Sequence, residues 1–271
     1  MNILHIFSGD SQSGAAKGAL NLHKALKDEG INSVIYSEKK IIRFLNKCIF
    51  FINYKFKLLY LGIFGDEKRF LSLNSTVLNI PLFGLSKYDI IHIHWFNYSL
   101  DIEKIHTLAT KHNIVVTMRD MWLLTGGCHY TLDCSQFQDN CRSCPLYLKS
   151  SKGEEFRNEK QQLLSNINII TISNWLDKTT GYTGPRYKTK FIYNTVDHSS
   201  FFDFDDDVIS ILKKKYQIFT EKKIILIGAI NLLSDYKGKQ YICRFIEHHP
   251  DCFFIFFGEG ASFFTEKMKH S

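Results

Sequence analysis

Residues 88–120 read YDIIHIHWFNYSLDIEKIHTLATKHNIVVTMRD. Tyr88–Trp95 is a short, mostly apolar run bounded by polar residues, which is the pattern of a buried strand. Leu100–His112 carries apolar residues at helical spacing, and Ile114–Met118 (IVVTM) is a second strand rich in β-branched residues. Strand, helix and strand in so few residues make a β-α-β unit, whose two strands must lie parallel.

The same alternation extends outward. Met1–Phe7 reads as a strand, the segment from Gly14 to Gly30 as a helix with Ala16, Ala19 and Leu20 on one face, and Asn32–Tyr36 as the next strand. Asn168–Ser173 and Lys190–Tyr193 follow as strands, with a helix at 174–180 between them. These elements predict a doubly wound parallel sheet. Around 194–207 the pattern dissolves into Asn, Asp, Ser and Phe, the composition of a junction. It restarts with a strand at Lys223–Gly228, a helix at Gly238–His248, a strand at Cys252–Gly258 and a helix at Ala261–Lys269.

Composition narrows the function classes. The 271 residues carry 34 Lys+Arg against 27 Asp+Glu, a net charge of +7, which favours an anionic partner. Residues 1–10 have no secretory-signal pattern, and no stretch approaches 18 charge-free apolar residues. The seven cysteines are therefore expected to be reduced, in a cytoplasmic chain. Residues 39–64 hold six cations and no acid among Ile, Phe, Leu and Tyr. That segment reads as a basic amphipathic helix suited to an anionic membrane surface, or as a core helix with a solvated basic face.

Three clusters carry candidate chemistry. Gly14-Ala15-Ala16 opens a helix, where free N–H groups can receive an anion, although Lys and Ser/Thr of a P-loop are missing. A tight turn without a ligand is the alternative. His92, His94 and Trp95 end one strand, and Arg119 and Asp120 follow another, at the carboxyl edge where open α/β sheets bind ligands. Cys128, Cys134, Cys141 and Cys144 crowd a polar loop that also holds His129. A structural zinc, free thiols or a redox-formed disulfide all suit that clustering; four thiolates would leave a metal no open position.

The block RDMWLLTGGCHY at 119–130 with its trailing Cys-x5-Cys-x6-Cys-x2-Cys-Pro, together with HIHW at 92–95, resembles the group-1 (family 4) glycosyltransferases of bacterial surface polysaccharide synthesis. Ser13–Ala16, Ser173–Leu176, Ile192–Asp197 and Lys237-Gly238 match further family motifs in order. The resemblance implies a GT-B-like fold, with residues 1–200 as the acceptor-side Rossmann-like domain. Residues 208–271 would begin an incomplete donor-binding domain. It implies retaining transfer of a hexose from a nucleotide sugar to a lipid-linked saccharide, peripherally at the inner face of the plasma membrane, with no nucleic-acid partner. No cofactor is needed for that catalysis, zinc being structural at most. Gly14, Ala15, Lys237 and Gly238 would face the donor phosphates. Arg119, Asp120 and His129 would carry the reaction, and His94 and Trp95 would line the acceptor side.

Arg119 stands where many relatives have His. An Arg is no general base, but a front-face transfer needs positioning and charge stabilisation. The family's glutamate motif would lie past residue 271, so the chain alone is expected to turn over little. A non-catalytic remnant and a zinc-stapled nucleic-acid-binding protein are the competing readings.

Overall fold

The structure is a computed structural model that describes residues 1–8, 13–36, 72, 82–97, 99–147, 151–182, 187–201, 203 and 205–269, with eight positions between 44 and 56. The chain divides into two compact units, Met1–His198 and Ser199–Ser271.

The first unit is built on β1 (Asn2–Ile6), β2 (Asn32–Ile35), β3 (Ile90–Ile93), β4 (Ile114–Met118), β5 (Asn168–Thr171) and β6 (Lys188–Phe191). They pair, all parallel, in the order β2-β1-β3-β4-β5-β6. The chain leaves β1 in one direction for β2 and returns on the other side as β3. The β1/β3 boundary is thus the topological switch point, where a crevice opens at the strands' carboxyl ends. There the Ser8 N–H donates to Trp95 O at 2.8 Å and the His94 N–H to Ile6 O at 2.8 Å, drawing the two strand exits together.

The helices are α1 (Gly14–Asp28), α2 (Ile102–Ala109), α3 (Ser151–Leu164) and α4 (Asn174–Gly181). Local chemistry sets their starts. Ser13 Oγ accepts from Ala16 N, Asp101 Oδ1 from Lys104 N and Ser173 Oγ from Leu176 N, each satisfying a donor that the helix cannot. Ile6, Ile91, Ile93, Ile105, Val116, Leu124, Leu164 and Ile169 form the centre of the core.

Helix α3 contradicts apolar periodicity. Its buried residues are Gly153, Arg157, Lys160, Gln161 and Leu164, so the face it packs inward is largely polar. Gly153 lets it approach the 126–144 loop. A Cβ there would stand 2.8 Å from Cys141 O and 2.8 Å from Cys144 Cβ, and one on Gly126 would stand 2.7 Å from Gly153 Cα.

The second unit holds α5 (Asp206–Lys215), then β7 (Ile224–Asn231) and β8 (Phe253–Glu259), paired parallel, with α6 (Lys239–His248) and α7 (Ala261–Lys269). Leu232, Ile246, Cys252, Phe254 and Phe264 are its core. Strand β7 alternates, and its outward positions include Leu226 and Ile230, both exposed. No helix among the described residues is long and apolar enough to cross a membrane.

Gly153→Ala should lower stability by about 1–3 kcal/mol, because backbone on the facing loop must move. Denaturant titration measures this; an unchanged midpoint would mean that the helix and loop do not meet as described.

Candidate functional site

Strand register assembles the first cluster. His5 of β1 pairs with His92 of β3, and His92 with Val115 of β4. Side chains two apart share a face, so His5, His92, His94, Thr117 and Arg119 line one side of the sheet toward its carboxyl edge. Central parallel strands normally put continuous apolar residues there. Here three buried imidazoles replace them. His5 Nδ1 lies 3.1 Å from His94 Nε2, and His92 Nε2 lies 2.7 Å from Thr117 Oγ1. Burial pushes His5 down to about 4 and His92 to about 3, and holds His94 well below the usual range; repulsion from His23 adds to this at His5, and repulsion from neighbouring histidines and Arg119 at His92 and His94. All three are neutral at pH 7.

Arg119 caps this column. Its Nη1 donates to Asn194 Oδ1 at 2.8 Å and its Nη2 faces His94 Nδ1 at 3.2 Å. A Cβ on Gly18 of α1 would collide with the guanidinium, so the side chain lies directly over the first turns of that helix. Its Nε is buried without a hydrogen-bond partner. Burial lowers its pKa to about 10, which leaves it charged at neutral pH. Among the described residues, no carboxylate pairs with it. Helix α1 also holds the 194–197 segment: Asn21 Nδ2 donates to Thr195 O, and Lys24 pairs with Asp197 at 2.6 Å.

The second cluster is anchored at Asp120. Its Oδ1 accepts from Trp122 N at 2.9 Å and its Oδ2 from His129 Nδ1 at 2.6 Å. His129 Nε2 in turn accepts from Ser72 Oγ at 2.8 Å. Ser72 also donates its N–H to Gly127 O at 2.9 Å, while its own O accepts from Trp122 Nε1 at 2.7 Å. Asp, His and Ser here make the hydrogen-bond order of a nucleophilic triad. Both His129 and Ser72 are nevertheless buried, at 0% and 1% exposure, so the chain of bonds pins residue 72 to the loop.

The loop's staple is cationic. Lys160 Nζ donates to Trp122 O at 2.6 Å and stands 4.0 Å above the Trp122 ring. Arg157 Nε donates to Leu124 O at 2.9 Å, and its Nη1 reaches Asn140 Oδ1. Tyr147 Oη donates to Gly126 O at 2.6 Å. Complete burial drives Lys160 down to about 7. The Gly126 N–H donates to Cys141 Sγ at 3.2 Å, and burial raises the Cys141 thiol.

The expected site residues therefore fall in different places. Arg119 and Asp120 stand at the carboxyl edge of β4, half-buried. Gly14 and Ala15 open α1 at the same edge of the sheet. His129 has both ring nitrogens engaged and no exposed surface, and holds Asp120 and Ser72. His94 lies beneath Arg119 at 0% exposure; Trp95 beside it is partly exposed. No cysteine among the described residues forms a disulfide. Among the described residues, the groups whose metal-type donor atoms converge within 4.8 Å are His5, His92 and His94, and His249, Asp251 and Cys252. Cys128, Cys134, Cys141 and Cys144 are not among these groups.

Lys237 and Gly238 belong to the second unit, at the turn into α6. Gly238 has φ +79° and Lys237 Nζ sits 5.4 Å from the Tyr236 ring. The basic segment at 39–64 lies mostly outside the described residues. Of its described positions, Phe44, Phe51 and Phe56 are exposed, and Lys55 Nζ lies 5.4 Å from the Phe51 ring.

No family model matches the sequence. Over 163 residues the chain is 25% identical to WcaC of Escherichia coli, a protein named for glycosyl transfer in colanic acid biosynthesis; the match covers 54% of this chain and 40% of WcaC. Solved structures of HepE from Anabaena, one with UDP and one with UDP and glucose, match all of the chain and 65% of their own. Their TM-scores are 0.55 and 0.52, at 14% and 15% identity. The chain thus spans about two fifths of WcaC and just under two thirds of HepE. The likeness carries the fold: α/β and GT-B-like, with a doubly wound parallel sheet.

The buried imidazoles should make the protein acid-sensitive. Their folded-state pKa values lie below the unfolded 6.5, so the unfolded chain binds more protons as pH falls from about 6.5 to about 4. Stability is full above that window and declines within it, each histidine contributing up to about 1.4 kcal/mol per pH unit. Unfolding midpoints measured from pH 7.5 to 4.5 should fall, and His92→Gln should flatten the slope. A slope that His92→Gln leaves unchanged would contradict the assignment.

Proposed function

We propose that the protein is a nucleotide-sugar-dependent glycosyltransferase of the group-1 (family 4) kind, moving a hexose to a lipid-linked saccharide with retention. The observation that carries this reading is Arg119, a half-buried guanidinium over the first turns of α1, at the switch-point edge, whose partners among the described residues are neutral. A buried cation without an acid is costly, and an anion supplied from outside relieves that cost. The N-terminal turn of α1 adds positive potential from the same side.

Breaking a sugar–diphosphate bond develops negative charge on the leaving phosphate. A fixed guanidinium and a helix N-terminus are suited to stabilise such charge without moving. Arg119 supplies no base, which fits a transfer in which the acceptor attacks from the face that the leaving phosphate vacates, its proton passing to that phosphate. Asp120 is held by Trp122 N and His129, so it stabilises the loop rather than taking a proton.

Supporting this reading, WcaC is named for glycosyl transfer, and HepE has been solved with UDP, glucose and UDP-glucose. A UDP-sugar is accordingly the first donor to try. The exposed aromatic residues at 44, 51 and 56, in a segment with six cations, suit a lipid-borne acceptor at an anionic bilayer.

Transfer of labelled sugar from UDP-glucose and related donors into a bacterial lipid extract tests the proposal. Acceptor-dependent labelling, even if slow, is expected, and Arg119→Met should reduce it by about 100-fold or more. Labelling absent with every donor, or undiminished by the substitution, would overturn it.

A further inference from the structure

Beneath Arg119, one hydrogen-bond order satisfies the contacts that join the guanidinium, His94 and His5. A guanidinium only donates, so His94 Nδ1, at 3.2 Å from Arg119 Nη2, carries no proton. Neutral His94 then bears its proton on Nε2, which donates to His5 Nδ1 at 3.1 Å. His5 must in turn carry its proton on Nε2. That atom is buried with no hydrogen-bond partner, so the relay ends there.

A shared metal is the competing use of the same three residues, since their donor atoms converge within 4.8 Å. His5 Nδ1 and His94 Nε2 face each other edge to edge at 3.1 Å, so a hydrogen bond already uses donor atoms that an ion would need. The adjacent Arg119 cation would oppose a second positive charge as well.

We propose that His94 and His5 are positioning residues forming a directional relay, Arg119 to His94 to His5, which fixes the guanidinium without neutralising it. A carboxylate in place of His94 would hold the side chain equally well but would cancel its charge. An imidazole acceptor orients the group and leaves its charge for the ligand. Asn194, a neutral amide on the other side, follows the same logic. A proton added to His94 would set donor against donor and release Arg119. The groups facing the relay are Arg119, His92 and Thr117 on the sheet side and His23 on α1, its ring 6.2 Å from that of His5, with Lys27 near His23. All the charged forms among them are cationic, so each disfavours such a proton, as does burial.

The relay stands on geometry alone, while its consequence for an anion rests on the function proposed above. Histidine side-chain ¹⁵N NMR of the full chain at pH 7.5 tests the relay directly. His94 and His5 are both expected as Nε2–H tautomers, and either one found as the Nδ1–H form overturns the proposal whatever the protein binds. Inorganic pyrophosphate titrated into variants tests positioning. His94→Phe should weaken binding about tenfold, the size of a lost hydrogen bond to a charged group. His94→Asn, which returns an acceptor near the Nδ1 position, should stay within about threefold of the parent. Equal loss in both variants would overturn the positioning role. Absence of pyrophosphate binding to the parent chain, with both tautomers as expected, would instead count against the anion site.

Discussion

A half-buried arginine that no carboxylate pairs with among the described residues is the constraint around which the first unit is arranged. Charged groups leave water only against compensation, and here the structure provides orientation instead of neutralisation. Gly18 clears space for the guanidinium over α1, His94 and Asn194 accept from its two Nη groups, and the β1–β3 register places a second imidazole beneath the first. These features occupy sheet positions that apolar side chains would fill with greater stability. Local departure from the best-packed solution is the usual mark of a site shaped for something other than folding.

The loop at 119–147 solves a related problem with the opposite chemistry. It has little regular structure, and its short turn at Trp122–Leu124 leaves carbonyls turned inward. Arg157 and Lys160 of α3 donate to those carbonyls from within the core, and Lys160 Nζ lies over the face of the Trp122 ring. The Asp120–His129–Ser72 chain ties the loop to residue 72 from the other side. The loop follows Arg119 directly in sequence, so its rigidity passes to the base of that side chain. Thiols complete the packing around Gly126 and Gly153 without converging on one point.

Much of this architecture is legible in the sequence because buried parallel strands are apolar runs: Ile114–Met118 has the same bounds in both readings. Where a strand is less buried, the signal weakens. Strand β6 runs over Lys188–Phe191, two residues before the apolar segment suggests, since it lies at the sheet edge and alternates with lysine. Helix α3 has no apolar stripe to read, because what it buries is a glycine, two basic side chains, a glutamine and a single leucine. His5 is silent by itself and gains meaning only through the register that sets it against His92. Ser72 lies 57 residues from its histidine, with no spacing rule to join them. The cysteine cluster shows that the loop needs a staple, but sequence proximity cannot say which atoms supply it.

On the function proposed above, Arg119 keeps its charge to receive an anion. Thermal unfolding of the full chain with and without inorganic pyrophosphate, for the parent and for Arg119→Met, tests this. Saturating pyrophosphate at about 100 times its Kd should raise the parent's stability by about 2.7 kcal/mol. No such shift is expected in Arg119→Met, whose unliganded stability should change little once the buried charge is gone. An equal pyrophosphate shift in both proteins, or none in the parent, would contradict it.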